Sequence, residues 1–212
     1  MPAWRFLAER GFAGDTGRYD APDNSHLGRV LEQRAGLPIT LAVLLVSVAE
    51  KAGADAVGIN FPGHFLARVD GTLIDPFVMR PIDADDARSG LPADLRTARD
   101  EILFAVANPR AIVLRMLNNL KGTFAARSAW HRVLDAIDAQ MAVEPGSTAL
   151  GLYERGEIGL RMGSPTLARA DFEAAQARLH AGDVPAGIKV DALLARLDQR
   201  LAGLDGASDV IH

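Results

Sequence analysis

The chain has 212 residues, of which 49% are hydrophobic and 24% charged, and its formal net charge at pH 7 is −4. This length is enough for one large domain or two small ones, each with a hydrophobic core of its own. The sequence contains no cysteine, which excludes disulfide bonds, thiolate catalysis and cysteine-ligated metal centres.

Membrane and nucleic-acid partners are also disfavoured. The uncharged apolar run over 37–49 is shorter than the roughly 18 residues that a membrane-spanning helix needs. The N-terminal segment lacks the apolar region of a signal peptide, so we expect a cytoplasmic protein. The 23 basic residues are scattered and form neither a basic stripe nor a nucleic-acid reading motif.

The first half of the chain has the mixed pattern of an α/β domain. Asn24-Ser25 can cap a helix that ends near Ala35. Pro38 then suits the first position of a second helix, over 39–52, which is apolar around most of its circumference. Such a helix is buried on most sides, so we expect it to lie at the centre of the domain.

Three short β-type runs follow, over 56–61, 65–69 and 72–77. Asp70-Gly71 separates the last two and is typical of a type I′ hairpin turn. That turn predicts a register, because it sets Val69 opposite Thr72 and therefore Leu66 opposite Asp75.

In this register His64 and Asp75 share one face of the sheet as diagonal neighbours. Diagonal positions are roughly 7–8 Å apart at Cα, close enough for an imidazole and a carboxylate to meet. The sequence thus predicts a His64–Asp75 pair, whereas a slip of one residue at the turn would separate the two side chains.

The rest of the chain has a helical pattern. Residues 82–98 are typical of a surface connection with at most a short helix. Helices are then predicted over 99–107 and at about 110–126, 129–142, 148–162, 165–181 and 186–203. Two of the helical hairpins repeat with an offset near 35, close to the period of about 34 in tetratricopeptide repeats: Val133, Ile137 and Gln140 correspond to Ala168, Phe172 and Ala175. Generic helical hairpins can give the same spacing.

Several blocks of residues, spread over about 6–200, resemble the SirB-type bacterial family. In the first half they are Phe12-Ala13-Gly14 with Tyr19, Asn24-Ser25-His26-Leu27, 30–41, Asn60-Phe61-Pro62-Gly63-His64-Phe65-Leu66 and Ile74-Asp75-Pro76-Phe77. In the second half they are Arg115-Met116-Leu117-Asn118-Asn119-Leu120-Lys121 and Glu154-Arg155-Gly156. Proteins of this family have further helical sequence ahead of the first block, so we expect the start of this chain to be shortened.

The resemblance implies an α+β fold. Its core is transglutaminase-like (papain-like), a short antiparallel sheet packed on a buried helix, and a tetratricopeptide-repeat-like helical tail follows. The implied domains are residues 1–107, the transglutaminase-like domain, and 108–212, the tail.

The resemblance also implies a catalytic triad that is incomplete. Active transglutaminase-like enzymes carry a cysteine at the start of the central helix, a histidine on one strand and an aspartate on the next. His64 and Asp75 correspond to the last two, but the cysteine position near 37–40 holds none. Thr40 is the alternative nucleophile, although a helix dipole worth about 0.3–1 kcal/mol does not ionise a hydroxyl. Its other interpretation is a first-turn residue bonded to the backbone, which we prefer.

Two hypotheses for function follow. The first is a non-catalytic protein-interaction or regulatory scaffold, in which His64 and Asp75 are a remnant pair and the helical repeats hold a protein or peptide partner. The alternative is an acyl-transfer or amide hydrolase that uses His64 and Asp75 with Thr40 or an activated water. The residues predict no cofactor and no metal site, because His26, His64 and Asp75 lack the paired spacing of a zinc site.

Overall fold

The computed structural model describes residues 1–184, 187 and 189–208. The chain forms two compact units, Met1–Met116 and Leu117–His212. The described part is mostly helical and contains a small antiparallel sheet.

The first unit combines short helices with two sheets. Its helices are α1 (Ala3–Glu9), α2 (Leu27–Gln33), α3 (Pro38–Lys51), α4 (Ala84–Ser89), α5 (Asp100–Leu103) and the first part of α6 (Pro109–Ala125). Its strands are β1 (Ala13–Gly14), β2 (Ala35–Gly36), β3 (Ala56–Ile59), β4 (Leu66–Val69), β5 (Thr72–Asp75) and β6 (Arg80–Pro81). β1 and β2 pair in parallel, and β3 to β6 form an antiparallel sheet in chain order.

The register of the β4–β5 hairpin is the predicted one. Val69 pairs with Thr72, and Ala67 pairs with Ile74. Asp70 and Gly71 have φ values of 46° and 79°, which is the pair of positive values that a type I′ turn requires. The turn chemistry therefore fixes which side chains share a face of this sheet.

The buried helix α3 packs on one face of that sheet. Its side chains Leu41, Ala42 and Leu45 are fully buried, in one cluster with Ala67 of β4 and with Phe65, which directly precedes β4. Alternate residues point to the opposite face, where a second cluster joins Ile59, Phe61 and Leu66 to Ala87, Leu91 and Leu103. The central buried helix and the sheet packed on it were both predicted.

Two predictions of local structure in this unit are wrong. Asn24-Ser25 do not cap α2, because they lie in a 3₁₀ turn. The cap of α2 is His26, whose Nδ1 accepts a hydrogen bond from the backbone N–H of Arg29 at 3.3 Å. The helix predicted over 99–107 covers only Asp100–Leu103. The chain beyond it bridges to β3 instead, with the N–H of Ala107 donating to the carbonyl of Gly58 at 2.9 Å.

The second unit is helical throughout its described part. After the end of α6 it contains α7 (Trp130–Val143), α8 (Thr148–Arg161), α9 (Pro165–His180) and α10 (Val190–Ser208). These agree with four of the predicted helices, although the predicted start at residue 186 lies outside the described residues. Phe172, Ala168 and Ala175 of α9 are fully buried among side chains of α8 and α10.

An arginine holds three of these helices together. Arg155 of α8 donates to Asp138 of α7 at 2.8 Å and to both carboxylate oxygens of Asp171 of α9, at 2.9 and 2.5 Å. The hydrogen bond to Asp171 raises the pKa of Arg155, and the bond to Asp138 adds to this against the opposing effect of burial. Arg155 belongs to one of the sequence blocks that carry the family resemblance, and its contacts give that block a structural role.

Candidate functional site

The predicted pair of His64 and Asp75 is present in the structure. His64 follows a turn at Gly63, where φ is +71°, and lies two residues before the start of β4, while Asp75 is the last residue of β5. The imidazole Nε2 lies 2.8 Å from Oδ1 of Asp75. The pair is partly buried, with 32% of the His64 side chain and 17% of the Asp75 side chain exposed.

Asp75 is held as a carboxylate by its surroundings. Burial raises its pKa, but the hydrogen bond from His64, the charge of that ring and the backbone N–H groups of Phe77 and Val78 together lower it below the usual value. The N–H of Phe77 donates to Oδ1 at 2.8 Å. In the neutral imidazole, Nε2–H therefore donates to Asp75 and Nδ1 carries the lone pair.

A cavity of about 440 Å³ opens beside this pair. Its wall is mostly apolar and includes Phe61, Leu66, Ile82, Ala87, Leu91 and Leu95. His64, Asp75 and Asp86 supply its ionisable side chains. The size and the mostly apolar wall with few polar groups are typical of a small-ligand or side-chain binding site.

The structure does not bring Thr40 to this cavity. Thr40 is fully buried in the first turn of α3, and its hydroxyl donates to the carbonyl of Asn24 at 2.6 Å. None of the described α3 residues lines the cavity. The interpretation of Thr40 as a first-turn residue bonded to the backbone agrees with this position.

Arg115, to which the sequence pattern assigns no individual role, holds the segment leading to His64. Arg115 of α6 donates through Nη1 to Oδ1 of Asn60 at 2.6 Å and to the carbonyl of Phe61 at 3.2 Å. Its guanidinium carbon lies 5.4 Å from the centroid of the Phe65 ring. Burial lowers the pKa of Arg115. These contacts join residues 60–65 to a helix about 50 residues further along the chain.

Part of the cavity wall comes from a segment in which the sequence indicates no site. The composition of residues 82–98 predicts a surface connection only, yet Ala87, Leu91 and Leu95 of this segment line the cavity. Their spacing of four residues was a signal that could have identified an inward-facing side. Asp83, Asp85 and Asp86 just before Ala87, together with Gly90 and Pro92, give the segment the composition of a surface connection.

Replacing Asp75 with asparagine is expected to lower the free energy of unfolding of the first unit by about 1–3 kcal/mol at pH 7, because an ionised acceptor of two hydrogen bonds is lost. The pKa of Asp75 is lower in the folded state than in the unfolded chain, where it is about 3.9. The stabilisation is therefore complete above the unfolded pKa and disappears as the pH falls through the folded pKa.

Urea unfolding at a series of pH values measures this effect. Trp4 lies in the first unit and Trp130 in the second, so the Trp130→Phe background makes fluorescence report on the first unit alone. The exposed Asp94 supplies the control, because Asp94→Asn should change the free energy by less than about 0.5 kcal/mol. A deficit in Asp75→Asn that stays constant from neutral pH to pH 3 would contradict the prediction.

Among the described residues, no three histidine, aspartate or glutamate side chains lie close enough together to hold a metal ion. No helix within the described ranges is both long and apolar enough to cross a membrane.

The antiparallel sheet on a buried helix, with a histidine and an aspartate meeting at neighbouring strands, agrees with the transglutaminase-like class that the sequence resembles. Residues 4–118 match the sequence model of the transglutaminase-like superfamily, and the chain belongs to this family. The match covers the His64–Asp75 pair, the cavity and Arg115.

Curated relatives extend the similarity beyond this domain. A UPF0162 protein of Xylella fastidiosa strain 9a5c is 36% identical over 179 residues, which are 79% of this chain and 63% of the relative. A UPF0162 protein of Pseudomonas aeruginosa is 31% identical over 177 residues, 81% of this chain and 64% of the relative. The chain thus spans less than two thirds of the length of these relatives.

The chain is also similar to a small part of a eukaryotic protein. The F-box only protein 21 of Homo sapiens is 26% identical over 155 residues, which are 68% of this chain and 25% of that protein. No solved structure matches the chain.

Proposed function

We propose that this protein is a non-catalytic transglutaminase-like protein of the SirB type, which acts as an interaction or regulatory scaffold in the bacterial cytoplasm. Its His64–Asp75 pair is the remnant of a triad and now forms one wall of a binding cavity. The observation that carries this proposal is the missing nucleophile: the chain has no cysteine, and the hydroxyl of Thr40 is buried and donates to a backbone carbonyl.

The position of Thr40 supports the proposal on energetic grounds. A threonine can attack only when a general base removes its proton and prepared donors stabilise the developing oxyanion. The Thr40 hydroxyl donates its proton to the carbonyl of Asn24, and His64 lines a cavity to which Thr40 does not contribute. Attack would require the hydrogen bond to break and the hydroxyl to leave its buried position.

The second unit is proposed to be the tetratricopeptide-like tail that binds a protein or peptide partner. Two observations support this. The offset near 35 relates Val133 and Ile137 to Ala168 and Phe172, and all four side chains are buried. α8 and α9 also approach closely, because Gly159 packs against Ala168. Helical repeats of this kind present extended surfaces to partners.

One observation favours a hydrolase or acyl transferase as the second candidate function. The His64–Asp75 bond has the geometry of a general base with its orienting carboxylate, and the pair borders a cavity that a substrate could enter. In that case a water activated by His64, or a displaced Thr40, would attack an amide carbon, and the amine would leave with a proton.

An assay for turnover separates the two candidates. The full chain is incubated with peptide amides and with glutamine- and lysine-containing peptides, and deamidated, cleaved or cross-linked products are measured by mass spectrometry. We expect no product above a buffer blank, for the unchanged protein and for His64→Ala alike. Product that forms with the unchanged protein and with the exposed-histidine control His131→Ala, but disappears in His64→Ala, would overturn the proposal. Thr40→Val would then distinguish threonine from water as the nucleophile.

A further inference from the structure

His64 lines the cavity, and only one of its two ring nitrogens is engaged by a described residue. Nε2 is engaged by Asp75 at 2.8 Å, whereas Nδ1 has no hydrogen-bond partner among the described residues. Because the Asp75 carboxylate holds the Nε2–H tautomer, Nδ1 of the neutral ring presents a lone pair. A ligand that reaches this nitrogen can form a hydrogen bond with it if the ligand carries an N–H or O–H group.

The charges of the cavity disfavour an anion. Asp75 and Asp86 both contribute to the wall, and none of the described lysines or arginines does so. Asp86 is exposed and makes no ion pair with any residue that the structure describes. An anionic group in the cavity would meet two carboxylates and none of the described lysines or arginines, and like charges at short range repel.

The remaining wall is apolar. Phe61, Leu66, Leu91 and Leu95 come from both sides of the cavity and offer a surface for an aliphatic or aromatic group. An apolar group gains free energy in proportion to the area that it removes from water. The ionisable side chains of the wall are those of His64, Asp75 and Asp86.

Building on the proposed function, we infer that this cavity binds an apolar group that carries an uncharged or cationic hydrogen-bond donor, such as an amide or an amine, and rejects the corresponding carboxylate. The donor reaches Nδ1 of His64, the apolar body lies against the leucines, and a positive charge is favoured by Asp86. A protein side chain or a small molecule can present this chemistry.

Three probes with the same apolar body test the inference: 3-phenylpropan-1-amine, 3-phenylpropanamide and 3-phenylpropanoate. Each is titrated into the isotope-labelled full chain, and NMR shifts of assigned cavity residues are followed. We expect the amine and the amide to shift the signals of His64, Leu66 and Leu91, and the carboxylate to bind at least about tenfold more weakly. Equal binding of all three probes, or no shift at these residues with any of them up to millimolar concentration, would overturn it.

Three variants locate the binding. Leu91→Trp should fill the cavity and abolish the shifts, whereas Leu167→Trp, at a position 67% exposed in the second unit, should leave them unchanged. Asp86→Asn alters an exposed side chain and should bring the amine affinity down toward that of the amide. Unchanged amine affinity in Asp86→Asn, or binding that survives in a folded Leu91→Trp, would contradict the assignment.

Competition between short peptides and the probes for the same protein distinguishes the sources of the ligand. A peptide that ends in a phenylalanine amide and competes with 3-phenylpropanamide would indicate a partner segment, and binding of the free probes alone would indicate a small molecule. Failure of the inference remains separate from failure of the proposed function. Absence of probe binding removes the inference only, whereas turnover that depends on His64 removes the non-catalytic role.

Discussion

Phe65→Ala is expected to lower the free energy of unfolding of the first unit by about 3–5 kcal/mol, the range for removal of a fully buried aromatic ring. Only 1% of Phe65 is exposed. Its ring lies over Gly58 of β3, so closely that a Cβ at Gly58 would come within 2.9 Å of it. The guanidinium carbon of Arg115 also lies 5.4 Å from the centroid of this ring. The substitution therefore removes a core contact and the cation–π contact together.

Urea unfolding of the Trp130→Phe background, with Trp4 as the probe, measures this loss. The control is Ile102→Ala, because 58% of Ile102 is exposed and its truncation should change the free energy by less than about 0.5 kcal/mol. His64 is the neighbour of Phe65, so NMR signals of the imidazole should broaden or shift in the same variant. A loss below 1 kcal/mol would show that Phe65 is not packed as described.

Gly156→Ala is expected to destabilise the second unit by about 1–3 kcal/mol, because overpacking a buried contact forces side chains or backbone to move. A Cβ at Gly156 of α8 would lie less than 3.0 Å from three atoms of the Phe172 ring of α9. Phe172 is fully buried in a cluster of apolar side chains, so a shift of its ring must displace the side chains that pack against it. In an open helix position the same substitution would stabilise the helix.

The matched control is Gly203→Ala in α10, where a Cβ would meet no atom within 4 Å. It should raise the free energy of unfolding by up to about 1 kcal/mol, since alanine is the better helix former. In the Trp4→Phe background, Trp130 reports on the second unit. The decisive result is that the two substitutions change the free energy of unfolding in opposite directions. Changes in the same direction would contradict the close approach of α8 and α9.

The relation between His64 and Asp75 could be predicted because it depends on local geometry. A two-residue turn of Asp70 and Gly71 sets the register, and the alternation of side chains along a strand then decides which residues share a face. No distant contact enters this argument. The buried helix α3 was predictable for a similar reason, since its composition is apolar around most of its circumference.

The helix predicted over 99–107 was wrong because a distant strand competes for its backbone. The N–H of Asn60 donates to the carbonyl of Ala105 at 3.2 Å, and Ala107 donates to Gly58. These hydrogen bonds satisfy the chain beyond Leu103 at the edge of β3 and replace the next helical turn. Helical propensity within a short window contains no information about such a partner.

The sequence by itself determined the absence of a thiol nucleophile, the central helix and the hairpin register that joins His64 to Asp75, because these follow from composition and from contacts between near neighbours in the chain. Only the tertiary structure decided that Thr40 is bonded to the carbonyl of Asn24, that Arg115 holds Asn60, and that residues of the segment 82–95 line the same cavity as the pair. Each of these depends on segments far apart in sequence. Their meeting is governed by the packing of the whole unit, which no local pattern of residues specifies.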